Sequence, residues 1–219
     1  NGGTLAGSSE ADSFEVNGAA LTANAISVTN AASGINAGDG VDVLTVNDTN
    51  STLTGIDNEL DTANYAFSSV ETVDLADNAL TGTANADTFD VTGANALTSA
   101  DIDFTNVSSV DAGNGADQLN TTEATLVAGT NEALTSSNIS FTDIESADLS
   151  DGILTGTSNA DTFDVTGANS LTSAGINFSN VAAVNADDGV DQVNTDGADA
   201  SLFAELGSAV DYALETLGI

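Results

Sequence analysis

Short stretches of this chain alternate apolar and polar residues, and that alternation predicts β-strands. TFDVT at Thr88 and again at Thr162, IDFTNV at Ile102, ISFTDI at Ile139 and INFSNV at Ile176 all follow it, and all are rich in β-branched and aromatic residues. Gly, Asn and Asp bound them, the residues that most readily adopt turn conformations.

The pattern repeats. Residues 80–94 read LTGTANADTFDVTGA, residues 154–168 read LTGTSNADTFDVTGA, and a diverged copy, LAGSSEADSFEVNGA, fills residues 5–19. Phe14, Phe89 and Phe163 mark the same position in the three. A second motif follows each: INAGDGVDVLTV from Ile35, VDAGNGADQLNT from Val110 and VNADDGVDQVNT from Val184. Residues 1–219 therefore read as one continuous repeat array, with units at about 5–79, 80–153 and 154–219, the last incomplete.

A finer period lies inside. Cut into lines of 15 from Leu5, with one line of 14 at Ser140–Ile153, the chain gives fourteen lines. Ten of them carry Phe14, Leu44, Phe89, Phe104, Leu119, Leu134, Leu149, Phe163, Phe178 or Val193 in the tenth column. Stacked coils produce such a column, because each coil buries its apolar residues only against its neighbours. The expected fold is all-β: an elongated, right-handed parallel β-solenoid, β-helix- or β-roll-like, with coils of about 15 residues and the column inside. At roughly 4.8 Å per coil, such a rod is about 65–70 Å long. The absence of Pro fits, since interior coils need every N–H for ladder bonds.

A second register recurs at 37 residues, through Phe67, Phe104, Phe141 and Phe178. A flattened, two-faced solenoid accommodates it, because half a coil moves a motif to the opposite face. Stacked small β-sandwich modules are the alternative. At the end of the chain, Leu202, Leu206, Val210, Ala213 and Leu217 fall near helical spacing, yet Val210–Leu217 also aligns with the strand pattern of Ile139–Ala147. Either form would make residues 201–219 a cap for the open end.

Composition narrows the chemistry. All 34 charges among the 219 residues are Asp or Glu, and Lys, Arg, His, Pro, Cys, Met and Trp are absent. Nucleic-acid binding through cationic side chains is excluded, as is catalysis by imidazole, thiolate, Lys or Arg. Only hard, oxygen-liganded cations remain as metal partners. Leu, Ile, Val and Phe supply 52 residues, above the roughly 20% floor of disordered chains, so the chain reads as folded. No apolar run reaches the roughly 18 residues of a membrane span, and no basic signal-peptide start is present. The start at Asn1 suggests a mature product or a fragment.

The acidic turns carry the candidate chemistry. Ala37-Gly38-Asp39-Gly40-Val41-Asp42-Val43-Leu44-Thr45 and Ala112-Gly113-Asn114-Gly115-Ala116-Asp117-Gln118-Leu119-Asn120 resemble the calcium-binding nonapeptide of repeat-in-toxin proteins, and Ala186–Asn194 is a poorer third copy. The resemblance implies calcium as cofactor, with Asp42, Asp117 and Asp191 as metal ligands and Asp12, Asp87 and Asp161 placed similarly. In that family the nonapeptides run in tandem, whereas these turns lie about 30 or 45 residues apart, two or three coils on a 15-residue coil. The competing reading has each Asp hydrogen-bonding the backbone of its own turn. Two carboxylates one coil apart repel by about 0.9 kcal/mol even in bulk water, which favours a bound cation or a screening medium.

FSSVETVDLADN from Phe67 and FTDIESADLSDG from Phe141, each followed by LTGT-x-NADTF, resemble the repeats of large secreted bacterial surface proteins: adhesins, S-layer proteins and β-strand-repeat proteins. The resemblance implies secretion by a bacterium to the cell surface or beyond, often by a type I system. The expected function is non-catalytic and structural, as a self-associating subunit of a filament, biofilm-matrix fibre or S-layer, with cell-surface glycans as further partners and neither nucleic acid nor membrane insertion. The passive stalk of a giant adhesin is the alternative. A carbohydrate-active β-helix enzyme is a remote one: a lyase base of Lys or Arg is missing, and Tyr65 and Tyr212 with no Trp make a poor sugar-stacking cleft. Ice binding through Thr81 and Thr83 is also remote, because the Thr columns are irregular.

Overall fold

Alternating burial shows how the strands stack. In Ser13–Asn17, Phe14 and Val16 point inward while Ser13, Glu15 and Asn17 face solvent. The computed structural model describes residues 3–29, 31–47 and 49–195, and over these the chain is an all-β solenoid without helix. The ten apolar residues of the tenth column are all buried, from Leu44 with no exposed surface to Val193 at 8%. Fully burying each such side chain contributes about 1.5–3 kcal/mol, and the column shares the core with residues such as Leu60, Phe67, Leu97 and Phe141. Residues 201–219, where a cap is expected, lie outside the described residues.

Two compact units make up the chain: residues 1–117 with 137–140, and residues 118–136 with 141–219. In the first, one ladder runs from Ile26–Val28 through Ala20–Ala23, Ser13–Asn17, Val43–Val46, Thr72–Asp74, Ile102–Thr105 and Ala96–Ser99 to Thr88–Gly93. A second runs from Gly3–Ala6 through Ala31–Asn36, Ala66–Ser68, Glu59–Thr62, Ser51–Leu53 and Ala79–Thr81 to Ser109–Asp111. The ladders share a core, in which Phe14 of one meets Phe67 of the other edge to face at 5.9 Å. In the second unit the ten-residue strands Ser146–Thr155 and Ile176–Asn185 pair along their length, with a register irregularity at Gly152. Ile176–Asn185 also pairs antiparallel with Ser170–Ser173, and Thr162–Gly167 lies between that strand and Gln192–Asn194.

The coil is twice as long as the sequence reading supposes. Phe14 pairs with Leu44, Leu44 with Val73 and Val73 with Phe104, each a step close to the 30 residues that separate Asp12 from Asp42. The stacking is also mixed rather than wholly parallel. Beyond Phe104 the ladder turns back antiparallel to Leu97 and then to Val91. Five strand-to-strand steps lead from the strand of Phe14 to that of Phe89, three of them long and forward and two of them short and backward. The period of the apolar column is therefore the mean advance per step and not the length of a coil.

The antiparallel hairpins account for the 37-residue register. Leu60, Leu97, Leu134 and Leu171 share that spacing, and each pairs antiparallel with the strand before it, at Leu53, Val91, Leu126 and Val165. Several returns are two-residue turns with both φ angles positive: Asn24-Ala25, Ala100-Asp101, Ser137-Asn138 and Ala174-Gly175. That geometry matches the right-handed twist of the flanking strands.

Candidate functional site

The predicted site residues lie on stacked turns. Gly7–Asp12 sits against Ala37–Asp42, Gly82–Asp87 against Ala112–Asp117, and Gly156–Asp161 against Ala186–Asp191. In each pair the Asp of the first turn donates its backbone N–H to the carboxylate of the second. Asp12 N meets Asp42 Oδ1 at 2.7 Å, Asp87 N meets Asp117 Oδ1 at 2.7 Å, and Asp161 N meets Asp191 Oδ1 at 2.9 Å. Turns 30 residues apart are therefore on adjacent strands, not two or three coils apart. The six aspartates come together as three pairs.

The first-turn aspartates bond their own turns. Asp12 Oδ2 accepts the Ser8 N–H at 2.5 Å, Asp87 Oδ2 the Thr83 N–H at 2.6 Å and Asp161 Oδ2 the Thr157 N–H at 2.6 Å. The Thr83 and Thr157 hydroxyls add bonds to the same carboxylates. This is the turn-bracing role weighed against calcium for these three. Asp42 extends its series, donating its own N–H to Glu71 Oε2 at 2.8 Å.

Close approach dictates the glycine that opens each first turn. A Cβ added at Gly82 would lie 2.2 Å from the Ala112 carbonyl oxygen, and one at Gly156 would lie 2.5 Å from that of Ala186. In the second turns Gly40, Gly115 and Gly189 have φ of 130°, 149° and 136°, where a Cβ is strained. The third copy departs from the motif at Asp187, which holds φ 65° where the others have glycine.

The second-turn aspartates are the more deeply buried set, since Asp12 keeps 6% exposure and Asp87 and Asp161 are half-buried. Asp42 and Asp117 have no exposed surface and Asp191 has 2%. The Oδ2 atoms of Asp42 and Asp191 are buried without a hydrogen bond. An ionised oxygen in that position lacks the partners that usually offset its desolvation. Among the described residues, no group of three or more acidic side chains is placed to hold a metal ion, so carboxylates alone do not form a cage.

The Ser8 backbone N–H and then the Asn24 amide hold the Asp12 carboxyl below its ordinary value, against the opposing effect of burial. A depressed carboxyl adds stability above the unfolded aspartate pKa of about 3.9, and that contribution is lost as pH falls through the lower folded value. A carboxyl titration followed by NMR should place Asp12 below ordinary aspartate, and Asn24→Ala should move it upward. An unchanged midpoint in that variant would remove the Asn24 contribution.

Sequence reasoning missed how the outward carboxylates are matched in a chain without Lys or Arg. Asn amides on neighbouring strands or just past their ends bond them: Asn106 to Asp74 at 2.9 Å, Asn180 to Asp148 at 2.9 Å, Asn194 to Asp164 at 2.6 Å and Asn47 to Glu15 at 2.6 Å. Hydrogen bonds to charged groups contribute about 1.5–3 kcal/mol each when well formed, less at exposed sites. The available signal was an Asn 30 or 32 residues after each carboxylate.

Compared with known proteins, the chain matches no protein-family model, no curated protein and no solved structure.

Proposed function

We propose that this chain is a non-catalytic structural protein of the bacterial exterior, a self-associating subunit of a surface filament, matrix fibre or S-layer. The observation that carries this reading is the reuse of one arrangement. The same turn pair, with the same Asp-to-Asp bond, occurs three times, at Asp12–Asp42, Asp87–Asp117 and Asp161–Asp191. Reaction chemistry calls for one specialised constellation, whereas repetition serves extension and load. Cell-surface glycans are further candidate partners.

Calcium is proposed as the stabilising ion. The buried Oδ2 atoms of Asp42 and Asp191 support a hard cation, with Asp117 at the equivalent position. Asp12, Asp87 and Asp161 are better fitted to bracing turns. Because calcium takes six to eight oxygens, turn carbonyls and water would supply most of the shell. At fixed ionic strength, saturating calcium should raise the melting temperature over chelator by about 5–10 °C, the effect of roughly 2.7 kcal/mol at 100 times Kd. Equal melting would sink the calcium proposal. Ordered fibres or sheets by electron microscopy of the same samples would support the subunit reading; persistently single particles would leave the adhesin stalk.

A further inference from the structure

Among the described residues, the hairpin of Ala20–Ala23 and Ile26–Val28 ends on an open edge. Ile26–Val28 pairs antiparallel with Ala20–Ala23, and no other described strand pairs with it. The same position in the repeat is held by the strands beginning at Ile102, Ile139 and Ile176. Those three isoleucines have no exposed surface, whereas Ile26 is 69% exposed. Val28 stands opposite Leu21 as Phe104 stands opposite Leu97 and Phe178 opposite Leu171. Both phenylalanines are buried, yet Val28 is only half-buried.

A covering strand makes the difference. In the first unit Thr72–Asp74 lies parallel to Ile102–Thr105, and the Asp103 N–H donates to the Glu71 carbonyl at 2.9 Å. In the second unit Ser146-Ala147-Asp148 lies parallel to Asn177-Phe178-Ser179, and the Asn177 N–H donates to the Glu145 carbonyl at 2.9 Å. Ser140 makes the equivalent bond to Ser108 at 3.3 Å. At the open edge the corresponding donor is Ser27, which pairs with Thr22 as Asp103 pairs with Thr98. What fits there is a parallel strand reading polar, polar, apolar and Asp, as in Glu71–Asp74, Ser108–Asp111 and Glu145–Asp148.

We propose that this edge is the docking seat for a second copy of the chain, and that the strand it receives is Gln192–Asn194. Asp191-Gln192-Val193-Asn194 has that order with Asn in place of the last Asp, and among the described residues this strand pairs on one side only, with Thr162–Gly167. Docked in the register of the internal copies, Ser27 donates to the Asp191 carbonyl, Gln192 lies beside Ser27 and Val193 beside Val28. Different surfaces meet in this contact, so each added copy presents a fresh seat and the assembly stays open, as a filament does. The inference rests on the self-association proposed above and names its surface.

Two substitutions and one cross-link test it. Ser27→Pro removes the outward donor on an edge strand, where proline is tolerated. Ile26→Asp places a charge at a position already exposed in the single chain. By sedimentation velocity the unaltered protein should form large assemblies, while both variants stay single with unchanged melting. The chain has no Cys, so Ser27→Cys mixed with Gln192→Cys should give a heterodimer with a short bismaleimide. If the unaltered protein assembles and both variants assemble equally, self-association stands and this seat is wrong. Cross-linking of Ser27→Cys only to itself would overturn Gln192–Asn194 as the occupant. An unaltered protein that remains single at every concentration overturns both the seat and the self-association.

Discussion

Phe89→Asp should unfold the protein or leave it without a cooperative thermal transition. Phe89 has no exposed surface and sits in the apolar column that joins the stacked strands. Truncating a buried Phe costs about 3–5 kcal/mol through lost transfer energy and the cavity left behind. An ionised aspartate adds the cost of a buried charge, and the chain has no Lys, Arg or His to pair with it. Against a typical total of about 5–15 kcal/mol, that is enough to abolish the folded state. Thr88→Asp, on the exposed side of the same strand, provides the control. Circular dichroism melts of the two should differ widely, and matching melts would mean that the inward and outward faces have been exchanged.

Gly82→Ala should cost about 3 kcal/mol although it adds only a methyl group. The new Cβ would lie 2.2 Å from the Ala112 carbonyl oxygen, a backbone atom that moves only if the turn pair separates. Separation weakens two bonds of 2.7 Å, from Gly82 N to the Asp111 carbonyl and from Asp87 N to Asp117 Oδ1. Overpacking of this kind costs about 1–3 kcal/mol, and the bond to a charged acceptor adds to it. Gly93→Ala, where an added Cβ meets nothing within 4 Å, should shift the urea midpoint little. Similar midpoints for the two variants would show that the turns are not tightly stacked.

Much of the site was legible as a motif but not as a structure. Asp12 and Asp42 stand out in recurring turns, and so do Asp87 with Asp117 and Asp161 with Asp191. Their pairing was hidden because it depends on which strands are neighbours, and too short a reading of the coil placed the turns too far apart. The 30-residue step brings each pair within one hydrogen bond. The Asn partners of Asp74, Asp148 and Asp164 were hidden for the same reason.

The sequence by itself determined the strands, their inward residues and the repeat. These follow from local alternation and from the need to bury Phe14, Leu44 and Phe104, whatever the neighbouring strand is. It did not determine the stacking step. The same apolar column is equally consistent with short coils of one strand each and with a coil twice as long whose hairpins fold back. The reversals at turns such as Ala100-Asp101 decide between them, and they act through long-range pairing. Only tertiary structure separates Ile26 from Ile102: both open equivalent strands, but one has a parallel neighbour and is buried, while the other has none among the described residues and is exposed. Burial is a property of the pair of strands, and a single strand's residues do not specify whether its partner is there.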